Sequence, residues 1–139
     1  MITEDYVSFE VAKLLKEKGF DERCECFYDT ENNDVSIVNE WMDISNSELE
    51  GIEFARYSAP TLQMAMKWLR EEYNKIIVPG ISLDDRTSST INYYIVGIWY
   101  VPKNNGGAFC YTSPTPYGGY PSFEEACEAA IKYCLENLI

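Results

Sequence analysis

The stretch INYYIVGIWYV, Ile91 to Val101, decides the fold. β-Branched and aromatic side chains dominate it and no charge interrupts it, which is the composition of a strand. Strict alternation puts Tyr93, Ile95, Gly97 and Trp99 on one face and Tyr94, Val96, Ile98 and Tyr100 on the other. Both faces are apolar, so the strand is expected at the centre of a sheet and covered on both sides. Just after it, KNNGG (Lys103 to Gly107) supplies Asn and Gly, which tolerate the positive φ of a tight hairpin. The chain then returns as AFCYTS, and PTPYGGYP makes a loop. Upstream, Ile76-Ile77-Val78 reads as a strand that breaks at Pro79-Gly80, followed by a turn through Asp84-Asp85-Arg86.

Three helices frame these strands, and each opens in the same way. SFEVA (Ser8–Ala12), TLQMA (Thr61–Ala65) and SFEEA (Ser122–Ala126) all write hydroxyl, large apolar residue, Glu or Gln, any residue, Ala. A side-chain oxygen at the first position accepts a backbone N–H that the first helical turn leaves without a partner. Ser8, Thr61 and Ser122 are therefore read as structural N-caps, and Ser122 with Glu125 as a capping box. Apolar residues follow at three- and four-residue spacing: Phe9, Ala12 and Leu15; then Leu62, Ala65, Met66 and Leu69; then Phe123 through Leu138. Gly19 ends the first helix.

Between the first two helices, Cys24, Cys26 and Tyr28 are expected on one strand face. A short strand is placed near Val35–Val38, within an acidic, loop-rich stretch from 30 to 50, and another over Ile52–Tyr57. The expected fold is α+β, one domain over 1–139, with three helices on a largely antiparallel sheet in the order α-β-β-α-β-β-β-α. FARYSAPTLQMA and FCYTSPT…YPSFEEA further suggest a degenerate duplication of a strand-strand-helix unit. Three helices leave part of such a sheet bare, so a homodimer is a further expectation.

The chain has 139 residues and a net charge of −12, distributed unevenly. Up to Glu53 there are fifteen acids and four bases; from Phe54 on there are eight acids and seven bases. Such a surface repels phosphate backbones and disfavours direct nucleic-acid binding. No run is long and apolar enough for a membrane helix, and MITEDYVSFE is too acidic for a secretory signal. An odd count of five cysteines suits a reducing compartment, so a cytoplasmic location is expected.

Reactive groups are few. There is no histidine, so neither a thiolate–imidazole pair nor a zinc site with a histidine ligand is available. Cys24, Cys26, Cys110, Cys127 and Cys134 lack the two-residue spacing of zinc ligands and sit where small core residues belong. The neighbours Asp84-Asp85 and Glu71-Glu72 diverge on any regular element and do not pair across a cleft. No phosphate-binding glycine motif is present. Catalytic residues, metal ligands and cofactors are accordingly not expected. A ligand or peptide surface is assigned to Tyr111, Tyr117 and Tyr120 together with Trp99.

The blocks YVSFEVAKLLKEKGF, APTLQMAMKWLREEYN and YPSFEEACEAAIKYCLENLI resemble a family of small proteins of gut Bacteroidetes genomes, often carried in prophages and other mobile elements. The family's activity is uncharacterised. The resemblance covers about a third of the chain and implies a bacterial mobile-element accessory, with no catalytic residue to transfer. The expectation is thus a non-catalytic protein that binds a macromolecule, a protein partner being favoured. Two rivals stand beside it: an acidic nucleic-acid mimic that blocks a DNA-binding protein, and a small-molecule enzyme using carboxylates and tyrosines.

Overall fold

A computed structural model describes residues 2–30, 36–50, 55–82, 92–100, 102, 107–111 and 119–139. Its elements are α1 (Phe9–Glu17), β1 (Cys24–Asp29), β2 (Ser36–Ile44), β3 (Arg56–Ser58), α2 (Leu62–Tyr73), β4 (Lys75–Ser82), β5 (Asn92–Tyr100), β6 (Phe109–Tyr111) and α3 (Phe123–Asn137). The fold is α+β and its described strand pairs are all antiparallel; the three strands before α2 are those read near Cys24–Tyr28, Val35–Val38 and Ile52–Tyr57, one more than the order α-β-β-α-β-β-β-α counts. The strands form two three-stranded sheets, ordered β2-β1-β3 and β4-β5-β6, where the sequence suggests one. The chain divides into two compact units, Met1–Ala65 and Met66–Ile139. In chain order three strands followed by a helix occur twice, β1 to α2 and β4 to α3, but the first strand is central in one sheet and the second in the other.

The helix starts follow from their caps. Ser8 Oγ accepts from the Val11 N–H at 3.3 Å, Thr61 Oγ1 from Met64 at 3.1 Å, and Ser122 Oγ from Glu125 at 3.1 Å. The Ser122 hydroxyl also donates to the Glu125 carboxylate at 3.0 Å, closing the capping box through side chains. Replacing Ser122 with Ala is expected to lower stability by about 1 kcal/mol. Urea unfolding measures this, and an unchanged midpoint would show that the cap contributes nothing. At its other end α1 closes as a Schellman motif: Phe20 N–H donates to Leu15 O, and Gly19, at φ +91°, donates to Lys16 O.

In the first unit, α1 buries Val11, Ala12 and Leu15, while half-buried Phe9 sets its ring edge-on to Tyr28 and Tyr57. Those two tyrosines are partners across β1 and β3, so α1 packs on that pair. β2 spans nine residues, far more than the short strand expected, because its backbone ladder with β1 outweighs the low strand propensity of Asn39, Glu40 and Asp43. An irregularity between Cys24 and Cys26 interrupts the register. Of the strand expected over Ile52–Tyr57, the structure describes β3 alone; Ile52, Glu53 and Phe54 lie outside the described residues, as does Val35.

The second unit corrects two expectations. β4 does not stop at Pro79-Gly80 but runs on to Ser82, with a register shift at Val78/Pro79. β4 is an edge strand, where proline's missing N–H costs no ladder bond. On β5 the same shift skips Val96: Ile95 pairs with Pro79 and Gly97 with Val78. The extra residue reverses the alternation, so Tyr93 and Ile95 share a face with Ile98 and Tyr100 instead of with Gly97 and Trp99. α3 covers that face, with Phe123 edge-on to Tyr93 and Ile95 and Ile98 buried. On the opposite face Trp99 is exposed, and the Cys110 sulfur lies over Gly97, where a Cβ would come within 2.5 Å of it. As expected, β5 is central. Ile91, Val101, Lys103–Gly106 and the Asp84-Asp85-Arg86 turn lie outside the described residues.

Candidate functional site

The first unit carries a groove of about 400 Å³, built where four chain segments meet. Residues 5–7 pair with residues 60–62: Val7 N–H donates to Pro60 O at 3.0 Å and Leu62 N–H to Asp5 O at 2.9 Å. This pairing brings Glu4 and Tyr6 to one wall. The start of β1 adds Arg23, Cys24 and Glu25, and the end of β2 adds Asp43. Pro60 and the first turn of α2, through Gln63 and Met64, complete the lining. A second hollow of about 500 Å³ shares Arg23 and Asp43 and is lined also by Ile44 and Glu48.

A hydrogen-bonded turn holds the far wall. Asn46, buried, donates through Nδ2 to Phe20 O at 2.7 Å and accepts the Ser58 N–H at 2.9 Å. The Ser47 N–H and hydroxyl both donate to the Asp21 carboxylate, at 2.6 and 2.8 Å, and hold it below the ordinary carboxylate range. Glu48 is held low by the Ser45 N–H and then by Arg23, with which it forms an ion pair. Both carboxylates are exposed and stay ionised at neutral pH.

Two groups at the groove carry chemistry that could react once deprotonated, and both are held in their protonated forms. A hydrogen bond with Cys26, then burial and the charges of Glu25 and Glu4, push the Tyr6 phenol up to about 12. Burial, reinforced by Asp43, pushes the Cys24 thiol up to about 12. Its single S–H lies within donor reach of two acceptors, Glu22 O at 3.5 Å and the Met64 sulfur at 3.8 Å. The groove therefore sets the side chains of Glu4, Glu25, Asp43 and Arg23 around a neutral phenol and thiol, with Ala59, Pro60 and Met64 as its apolar lining. Such a lining attracts and holds a cation and offers it no nucleophile.

The surface assigned to tyrosines is distributed differently. Trp99 pairs with Cys110 and Tyr111 with Ile98, near one end of β5. Tyr120 bridges to Tyr93 near the other end through two backbone hydrogen bonds of 2.9 and 2.6 Å. At strand rise, residues 93 and 99 stand roughly 20 Å apart. Tyr120 is half-buried and its phenol is raised by burial; Tyr117 lies outside the described residues. Ser8, Thr61 and Ser122 stand at three separate helix starts. All five cysteines are free thiols, and among the described residues no three of His, Cys, Asp and Glu converge as metal ligands. Among those residues no helix is long and apolar enough to cross a membrane.

Glu4, Tyr6, Glu25 and Asp43 escape the sequence reading because no spacing links them. The one local hint is CEC, Cys24 to Cys26, where an exposed Glu25 alternates with two buried thiols. Comparisons of the chain with protein-family models, curated proteins and solved structures find no match.

Proposed function

We propose that the protein acts by binding a protein partner through its acidic first unit, without catalysis, as an accessory of a bacterial mobile element. The observation that carries the binding reading is the groove: carboxylates line it, while Tyr6 and Cys24, its candidates for covalent or acid–base work, are held protonated at neutral pH. The mobile-element setting rests on the three sequence blocks named above. Five free thiols support a cytoplasmic location. Mimicry of a nucleic acid's charge is the second reading, favoured by the fifteen acids against four bases up to Glu53.

The test is retention of purified basic proteins on the immobilised chain as salt is raised, with phage repressors and nucleases included. Retention at low salt that falls steeply with ionic strength is expected. Absence of retention at any salt overturns the binding reading. Retention indifferent to salt counts against mimicry.

A further inference from the structure

We infer that the groove of the first unit receives a lysine or arginine side chain from an extended basic segment of a partner protein, an inference that rests on the binding reading above. Its chemistry matches the two halves of such a side chain. Glu4, Glu25 and Asp43 supply negative charge, and among the described residues none of the three makes an ion pair. Pro60 and Met64 supply apolar surface beside them. Lysine and arginine bury an aliphatic stem along apolar surface while the charged head meets oxygen acceptors.

Two rival occupants fit less well. A metal ion needs oxygens converging on one point, and among the described residues no three potential ligands do so. A compact organic cation would fill the first hollow, of about 400 Å³, and leave the second, of about 500 Å³ and also lined by Arg23 and Asp43, unoccupied. Two hollows that share Arg23 and Asp43 on their walls suit a chain that carries its charges at intervals. Arg23, the base on the shared wall, is already engaged with Glu48 and so repels an incoming cation less than an isolated arginine would.

Binding to the full chain is measured by calorimetry with a short peptide of alternating arginine and alanine, capped at both ends, and separately with spermine. The double variant Glu25→Gln/Asp43→Asn is compared with Glu71→Gln/Glu72→Gln. The second pair changes net charge equally, at exposed positions on α2 that do not line the groove. Peptide affinity is expected to fall roughly tenfold in the groove variant and less than about twofold in the control. All four positions are exposed, so all the variants should keep the parent's thermal midpoint. Equal loss in both variants, or no loss in either, overturns the inference. So does spermine binding as tightly as the peptide. If basic proteins still bind the chain while the groove variant matches the control, this inference falls and the binding reading stands. If no basic protein binds at all, both fall.

Discussion

Titration from about pH 9 to about pH 11 is expected to cost the protein roughly 4 kcal/mol through two thiols alone. Cys127 and Cys134 lie on the inner side of α3, both fully buried. Burial pushes Cys134 from 9.0 up to about 12, against a weaker downward pull from Lys75. Burial, then the charge of Glu124, pushes Cys127 up to about 11. A group raised on folding keeps its proton in the native state while the unfolded chain releases it. Its contribution is complete below about pH 9 and disappears as pH climbs through 11 to 12. Cys24, also raised to about 12, acts in the same direction in the first unit.

Domains are stable by about 5–15 kcal/mol, so the loss approaches the scale of the whole fold. Urea unfolding followed at several pH values measures it, with Cys127→Ala/Cys134→Ala as the reference. That variant starts from a lower stability because it loses packing, but its decline above pH 9 should be shallower by the amount the two thiols supplied. Tyrosines and lysines titrate in both proteins, so the difference between the profiles isolates the thiols. Parallel profiles would falsify the assignment.

The parts of the fold legible in the sequence are those written locally. A helix start needs one oxygen placed three residues before the N–H it accepts, and the stripe behind it lies within a few turns. Ser8, Thr61 and Ser122 could therefore be read directly, as could the start of α2. β5 was legible because both its faces are apolar. What failed depended on partners distant in the chain. β2 is strand-like through its ladder with β1, not through its own residues. Pro79-Gly80 resembles a stop until β5 is seen to pair alongside it with one residue to spare, and that residue inverts the faces read from strict alternation. The groove was the least visible feature. Glu4, Glu25 and Asp43 become neighbours only when residues 5–7 pair with 60–62 and β1 pairs with β2.

Replacing Asn46 with Ala is expected to remove about 2–6 kcal/mol from stability, far more than deleting an ordinary surface amide. Asn46 joins three separate parts of the first unit with one side chain, donating to Phe20 O and accepting from Ser58 N. Residues Phe20 and Ser58 are both fully buried, so no water replaces the lost partner at either group. Each orphaned buried group costs about 1–3 kcal/mol, which sets the range. Asn137 is the control: its amide bonds Tyr133 O within α3 at an exposed site, and Asn137→Ala should fall within about 0.5 kcal/mol of the parent. Asn46→Asp separates the two bonds. Its carboxylate still accepts from Ser58 but opposes the Phe20 carbonyl, so the charged form is disfavoured and its pKa in the fold is raised. The damage should be greatest at neutral pH and ease on acidification, when a protonated Asp regains a donor. The same clamp positions the turn that follows Asp43, so Asn46→Ala should also weaken any cation held in the groove. Urea unfolding of the three variants at neutral and acidic pH decides the matter, and a cost for Asn46→Ala no larger than that for Asn137→Ala would remove the clamp from the account.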